Sequence, residues 1–247
     1  MLNNKKIRYT LIAVFSALFV ISAVMLIFTL TDREKAKSDF EDLAELVVVE
    51  SEESDSNDDS NTDSSEPTQS ETTTVSKPKP APITRNIPLL KEMNNECVGW
   101  IYIKGTKVNY PVMYSPTNPE KYLKRNFYGN YSGSGVPFID VRCGLDSTNT
   151  IIYGHNMKNL TMFGGLRKYL DKNYLKNHPV IEFETESGLN YYKIVEVRKT
   201  DIYDSWFTHN LAGEQDGKEY LTLSTCYGSN KKARLLIIAE KQVQTEE

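Results

Sequence analysis

The chain has 247 residues, with 29 Lys and Arg against 33 Asp and Glu, a formal net charge of −4. So small an imbalance offers no basis for whole-protein nucleic-acid binding. Its three cysteines form no CxxC pair and its three histidines no HxxxH, which excludes a disulfide-dense scaffold and argues against a zinc site.

The first predicted element is Thr10 to Leu30, 21 residues without a charge, Pro or Gly. As a helix at about 1.5 Å per residue it matches a bilayer core of roughly 30 Å. A cleaved signal peptide is the rival reading. Its apolar stretch would be shorter and end in small residues, whereas Thr31-Asp-Arg-Glu-Lys35 follows here with no A-x-A pattern. Lys5, Lys6 and Arg8 precede the run, so the positive-inside rule leaves residues 1–9 in the cytoplasm and puts everything after residue 31 outside the cell.

Asp39 to Ser76 carries 13 acidic residues and no Lys or Arg, and Ser, Thr and Asn fill most of it from Ser51 onward. Such a segment buries too little apolar surface to offset its conformational entropy. Phe40, Leu43, Leu46 and Val47 recur at helical spacing and allow a short juxtamembrane helix. Lys77-Pro-Lys-Pro-Ala-Pro82 reads as a stiff spacer. The expected organisation is residues 1–9 cytoplasmic, 10–30 anchor, 31–84 disordered acidic linker, 85–242 folded domain and 243–247 tail. In that scheme the linker is a tether, and a chain begun near Lys77 keeps its activity on soluble peptide.

From Lys77 to the end the balance reverses to 23 basic and 18 acidic residues. Asn86–Met93 reads as a short helix with Pro88 in its first turn. Strand-like runs follow at Val98–Ile103, Val108–Met113, Val136–Ile139, Thr150–Tyr153, Val180–Phe183, Tyr191–Val197, Tyr220–Ser224 and Leu235–Ala239. Helical stretches are expected at Pro119–Phe127 and from Met162 to about Lys176. Many short strands with few helices predict a mainly β barrel or sandwich.

Cys226 ends one strand-like run, and the turn Tyr227–Lys232 leads to Ala233-Arg234 at the start of the next. If these runs pair as a hairpin, Arg234 lies almost opposite Cys226, where a guanidinium favours thiolate and can hold an oxyanion. A structural Cys–Arg neighbourhood is the plainer alternative. His155, where Thr150–Tyr153 runs into Gly154, is placed as an acid or base, or else as a capping histidine. His178 and His209 sit in loop-like surroundings and are less informative. Cys97 and Cys143 read as buried small hydrophobes, or as a pair.

Taken together, Tyr153-Gly-His-Asn-Met157 followed by Lys158 and Thr161-Met-Phe163, Thr222-Leu-Ser-Thr-Cys226, and Arg eight residues later resemble the sortases, most closely their class B branch. Val98-Gly-Trp-Ile101, Val108-Asn-Tyr-Pro-Val112, Tyr122-Leu123 and Gly129–Cys143 agree, so the likeness covers about residues 87–240. It implies a sortase-like closed β-barrel with a few short helices, Cys226 as nucleophile, His155 as general acid/base and Arg234 as oxyanion or substrate clamp. Leu123, Ser224, Thr225 and Tyr227 are candidate substrate contacts. The implied reaction is acyl transfer: a sorting-signal peptide of a surface protein is cleaved after Thr through a thioester, and a peptidoglycan-precursor amine takes the acyl group. No metal or cofactor is implied, and no nucleic acid; the membrane is the partner of residues 10–30, at a Gram-positive cell surface.

One departure from the class B pattern stands out. A helix-bearing insertion usually precedes the Cys strand, but Arg198–Tyr220 is only 23 residues, so an Asn-Pro-x-Thr type motif cannot be assumed. Trp206 and Phe207 are candidates for an apolar wall in its place, or for plain core. A pilin-polymerising sortase with a Lys acceptor is the alternative within the family. A non-catalytic binding module on the same barrel is the alternative outside it.

Overall fold

All eight strand-like runs form strands, and together they close into one barrel. The computed structural model describes residues 4–49, 84–144, 147–209 and 217–243. In chain order, helix α1 (Asn4–Leu46) leads to the short strand β1 (Val48–Val49); β2 (Thr84–Arg85) and α2 (Ile87–Met93) open the folded domain. The barrel strands are β3 (Cys97–Tyr102), β4 (Asn109–Met113), β5 (Phe138–Ile139), β6 (Asn149–Tyr153), β7 (Val180–Thr185), β8 (Gly188–Asp201), β9 (Tyr220–Cys226) and β10 (Ala233–Lys241). They are ordered β10-β8-β7-β3-β4-β5-β6-β9, and β9 closes the ring by pairing antiparallel with β10.

Most pairs are antiparallel, but β6 runs parallel to β9 in the register Tyr153↔Ser224. Every residue of β9 up to Thr225 is buried, because the barrel core lies on one side and the 3₁₀ segment Phe163–Leu170 packs on β9 and β10. The pattern is therefore not the alternation of a half-exposed strand. The buried hydroxyl of Thr222 is satisfied: it donates to Asn149 Oδ1 at 2.8 Å and accepts from Trp206 Nε1 at 2.8 Å. Trp100, Tyr122, Phe127, Phe163 and Tyr169 are the largest fully buried side chains.

Two expected helices are cut short. Pro119–Phe127 contributes only a 3₁₀ turn at Lys121–Leu123. The stretch from Met162 divides into the 3₁₀ segment and α3 (Lys172–Asn177), where Asp171 caps the new helix by accepting from Asn173 N–H. The cysteines Cys97 and Cys143 are buried and unpaired.

The greatest difference from expectation lies at the N-terminal side. The apolar run is helical, with a candidate span at Ile7–Asp32, yet α1 continues through the first part of the expected linker to Leu46. Phe40, Leu43 and Val47 are buried against the barrel, Phe40 edge-on to Tyr110 with ring centroids 5.0 Å apart. Leu46, the fourth member of that spacing, stays exposed. Polar contacts join the same surfaces: Gly133 N–H donates to Asp32 Oδ2 at 3.0 Å and Asn126 Nδ2 to Asp39 Oδ2 at 2.9 Å. β1 then pairs with β2, Val48 opposite Arg85 and Val49 opposite Thr84. The acidic segment 50–83, where disorder is expected, lies outside the described residues, but its two flanks meet in this sheet. Residues 31–49 are thus part of the folded body rather than tether.

Candidate active site

The antiparallel register of β9 and β10 places Arg234 directly across from Cys226. Cys226 is the last residue of its strand and the exposed cysteine of the three. On the other side of β9, the parallel pairing with β6 brings the Gly154-His155 turn level with Thr225-Cys226. Gly154 N–H donates to Ser224 O at 3.2 Å, Thr225 Oγ1 donates to Gly154 O at 2.7 Å, and Asn156 Nδ2 donates to Cys226 O at 2.7 Å. Cys226, Arg234 and His155 thus converge from three adjacent chain ends, two of them separated by 71 residues in sequence along the Thr225–Gly154 bond.

His155 is oriented by a backbone group. Its Nε2 lies 2.8 Å from the carbonyl oxygen of Leu123. A carbonyl only accepts, so Nε2 carries the proton and Nδ1 is left to exchange one with a bound molecule. The turn presenting that carbonyl is held from beneath by Glu96, whose carboxylate accepts from Ser115 Oγ at 2.8 Å and also from Lys121 and Tyr122. Burial pushes the Glu96 carboxyl up, but these hydrogen bonds outweigh it and hold the group below its ordinary value. The loop after His155 is tightly folded as well. A Cβ on Gly164 would lie 2.1 Å from the carbonyl oxygen of Met157, so only glycine fits there.

Arg234 donates from Nη1 to the carbonyls of Lys231 at 2.8 Å and Ala233 at 3.0 Å. Among the described residues it has no carboxylate partner, so its remaining donors and its charge are available to the cavity. That cavity, about 320 Å³, is lined by His155, Cys226 and Arg234 together with Leu123, Ser224 and Thr225. Of the four candidate substrate contacts, three are therefore in the wall. Tyr227 is not; its ring lies under the Lys199 ammonium at 5.1 Å. Ser224 Oγ is buried with no hydrogen-bond partner among the described residues.

Sequence reading missed one group in the wall, Asp140, Arg142 and Tyr153. Arg142 binds the buried Asp140 carboxylate through Nε at 3.0 Å and Nη2 at 2.5 Å, and Tyr153 donates to the same carboxylate at 2.8 Å. Burial alone would raise the Asp140 carboxyl; the Arg142 guanidinium and its backbone N–H instead hold it below the usual range. The spacing Asp-x-Arg is too common to have singled these residues out. Phe207 lines the cavity and stacks on Tyr153 at 6.3 Å, whereas Trp206 turns away to stack on His209 at 4.1 Å. His178 stacks on Tyr174 at 4.3 Å. Neither His178 nor His209 lines the cavity. Between β8 and β9 the described residues form the 3₁₀ turn Ser205–Thr208, and residues 210–216 of that segment lie outside the described residues. No group of three or more His, Cys, Asp or Glu that could hold a metal occurs among the described residues.

Residues 101–242 match the family profile described as a Sortase domain. The chain belongs to the sortase family. Sortases are cysteine transpeptidases, and within the family this one is most like class B. It is 34% identical over 134 residues to Sortase B of Staphylococcus aureus (53% of this chain, 54% of that protein) and 42% identical over 120 residues to Sortase B of Listeria monocytogenes (46% and 48%). This sortase thus spans about half the length of the curated relatives it matches. Its fold is similar to a Staphylococcus aureus sortase B–substrate complex, with a TM-score of 0.55, 27% identity and coverage of 63% of this chain and 84% of that one. It is equally similar to Clostridium perfringens sortase B, with a TM-score of 0.55, 25% identity and coverage of 63% and 99%.

Proposed function

We propose that this sortase is a membrane-anchored transpeptidase that cleaves the sorting signal of secreted surface proteins and joins them to a cell-wall amine. The observation that carries the reading is the convergence of Cys226, His155 and Arg234 on one cavity. The Cys226 thiol passes its proton to His155 Nδ1, and the thiolate attacks the Thr carbonyl of the signal peptide. Arg234, free of any carboxylate among the described residues, holds the developing oxyanion. His155, its Nε2–H on Leu123, gives the Nδ1 proton to the departing amine as the C–N bond breaks and the thioester remains. An acceptor amine then attacks the thioester, loses its proton to His155 and releases the Cys226 thiolate.

Residues 85–242 form the catalytic unit in this reading and Ile7–Asp32 the single span, with the positive charges of Lys5, Lys6 and Arg8 keeping residues 1–9 in the cytoplasm. The test is incubation of the full chain in detergent with a library of quenched sorting peptides, alone and with wall-type amines or Lys-bearing pilin peptides. Cys226→Ala abolishes cleavage and thioester capture while the fold persists, and substantial cleavage by that variant removes Cys226 from the mechanism. His155→Ala suppresses the rate, and His178→Ala and His209→Ala do not. Preference for the Lys-bearing peptide as acceptor makes the enzyme a pilin polymerase instead.

A further inference from the structure

Where α1 leaves the bilayer, it already touches the barrel. Leu30, the last residue of the apolar run, and Glu34 line a groove of about 700 Å³ whose opposite wall is Lys107, Ser134, Met157, Asn159 and Thr161. Asp32, at the end of the candidate span, accepts the backbone N–H of Gly133 at 3.0 Å. Two residues of helix separate Leu30 from Asp32, about 3 Å of rise. The headgroup layer on each side of a bilayer is roughly 5–8 Å thick, the difference between a 30 Å core and 40–45 Å overall. The Gly133 loop therefore lies within that layer once the apolar run spans the core.

The residues around this contact suit a headgroup environment. Tyr131, two residues before Gly133, leaves 59% of its surface exposed despite its size. Lys158 is exposed on the loop after His155, and Lys107, also exposed, bonds the carbonyl of Asn159 in that loop at 3.1 Å. Tyrosine with lysine is the usual pairing at a membrane–water interface, the ring half immersed and the ammonium near lipid phosphate. Asp32 is engaged by Gly133, which leaves the lysines of this edge to face the phosphates.

We propose that the barrel edge formed by Tyr131–Ser134 and Met157–Thr161 rests in the phospholipid headgroup layer, with Tyr131 as its interfacial anchor. This rests on the anchoring proposed above and goes beyond it. The domain is not held off the membrane by the acidic segment. Phe40, Leu43 and Val47 fasten it to a helix continuous with the span. The loop that begins at His155 is then the part of the catalytic machinery nearest the lipid. A substrate still anchored by its own apolar tail, or an acceptor on a lipid carrier, meets the cavity at the surface rather than far above it.

The full chain is reconstituted into phosphatidylcholine–phosphatidylglycerol vesicles with and without brominated acyl chains, and tryptophan emission is read for Tyr131→Trp and Ser187→Trp, with the native Trp100 and Trp206 signal subtracted. Ser187 is exposed in the turn after Glu184, which binds the backbone of Arg85 at the far end of the docked helix. That end is about 21 Å along α1 from Asp32, fourteen residues at about 1.5 Å each. Tyr131→Trp emission shifts to the blue on reconstitution and is quenched by bromolipid, and Ser187→Trp emission is unchanged. Flotation of the chain with the vesicles but equal quenching at the two positions overturns the docking and leaves the anchor standing. Failure to float overturns the anchor, and the docking falls with it.

Discussion

Replacing Arg234 by Lys keeps the charge and removes the planar fork, so the two roles open to this residue give opposite outcomes. In the structure its Nη1 holds the carbonyls of Lys231 and Ala233, and no described carboxylate pairs with it. A lysine ammonium can replace one of those bonds. The net stability loss is then that of about one hydrogen bond, about 0.5–1.5 kcal/mol and toward the lower end for a half-buried group. For a domain of this size that lowers Tm by roughly 2–4 °C per kcal/mol. Turnover is affected far more. The fork sits across the strand pair from Cys226, and removing one oxyanion donor reduces kcat by about 10²–10³-fold. KM moves less, because the contact strengthens only as charge develops on the oxygen. Differential scanning and steady-state cleavage of a quenched peptide on the same sample read both quantities. Near-normal kcat beside a large fall in Tm would refute the oxyanion role and make Arg234 a structural residue.

Three further outcomes follow from other parts of the molecule. Burial pushes the thiol of Cys97 up to about 12 and that of Cys143 to about 11, so at pH 8 both stay protonated; a thiolate-selective reagent adds one label to the native chain, at Cys226, and three after denaturation, counted by mass. The Asp140 carboxyl is held below its ordinary value, so the stability it contributes is complete above the unfolded pKa of about 3.9 and is lost as pH falls through its native value. Asp140→Asn therefore lowers Tm at pH 7, and the gap to the native protein closes as pH drops below about 4; a gap constant with pH would contradict the Arg142 pairing. Chains begun at Lys77 lose the buried side chains of Phe40, Leu43 and Val47, each worth about 1.5–3 kcal/mol when fully buried, and melt well below a chain that retains residues 32–49, contrary to the expectation of a dispensable tether. Excising residues 52–80 alone leaves Tm unchanged, as thermal melts of the shortened and full chains show side by side.

The sequence alone determined what depends on local pattern. Short β-type runs between turn residues located all eight barrel strands, and the uncharged 21-residue run located the candidate span. Cys226 and Arg234 could be paired on paper because the two runs that carry them adjoin one turn-rich loop, and the observed register bears the pairing out. Tertiary structure alone decided what is brought together across long separations. Nothing near His155 announces that its partner is the carbonyl of Leu123, since any residue offers the same backbone oxygen. Asp140, Arg142 and Tyr153 meet because β5 pairs with β6, a contact absent from the local spacing of either. Phe40, Leu43 and Val47 showed an apolar helical face, but a face says nothing of what covers it. Only the closed barrel, with Tyr110 in place to meet Phe40 edge-on, makes the helix that carries them part of the folded body.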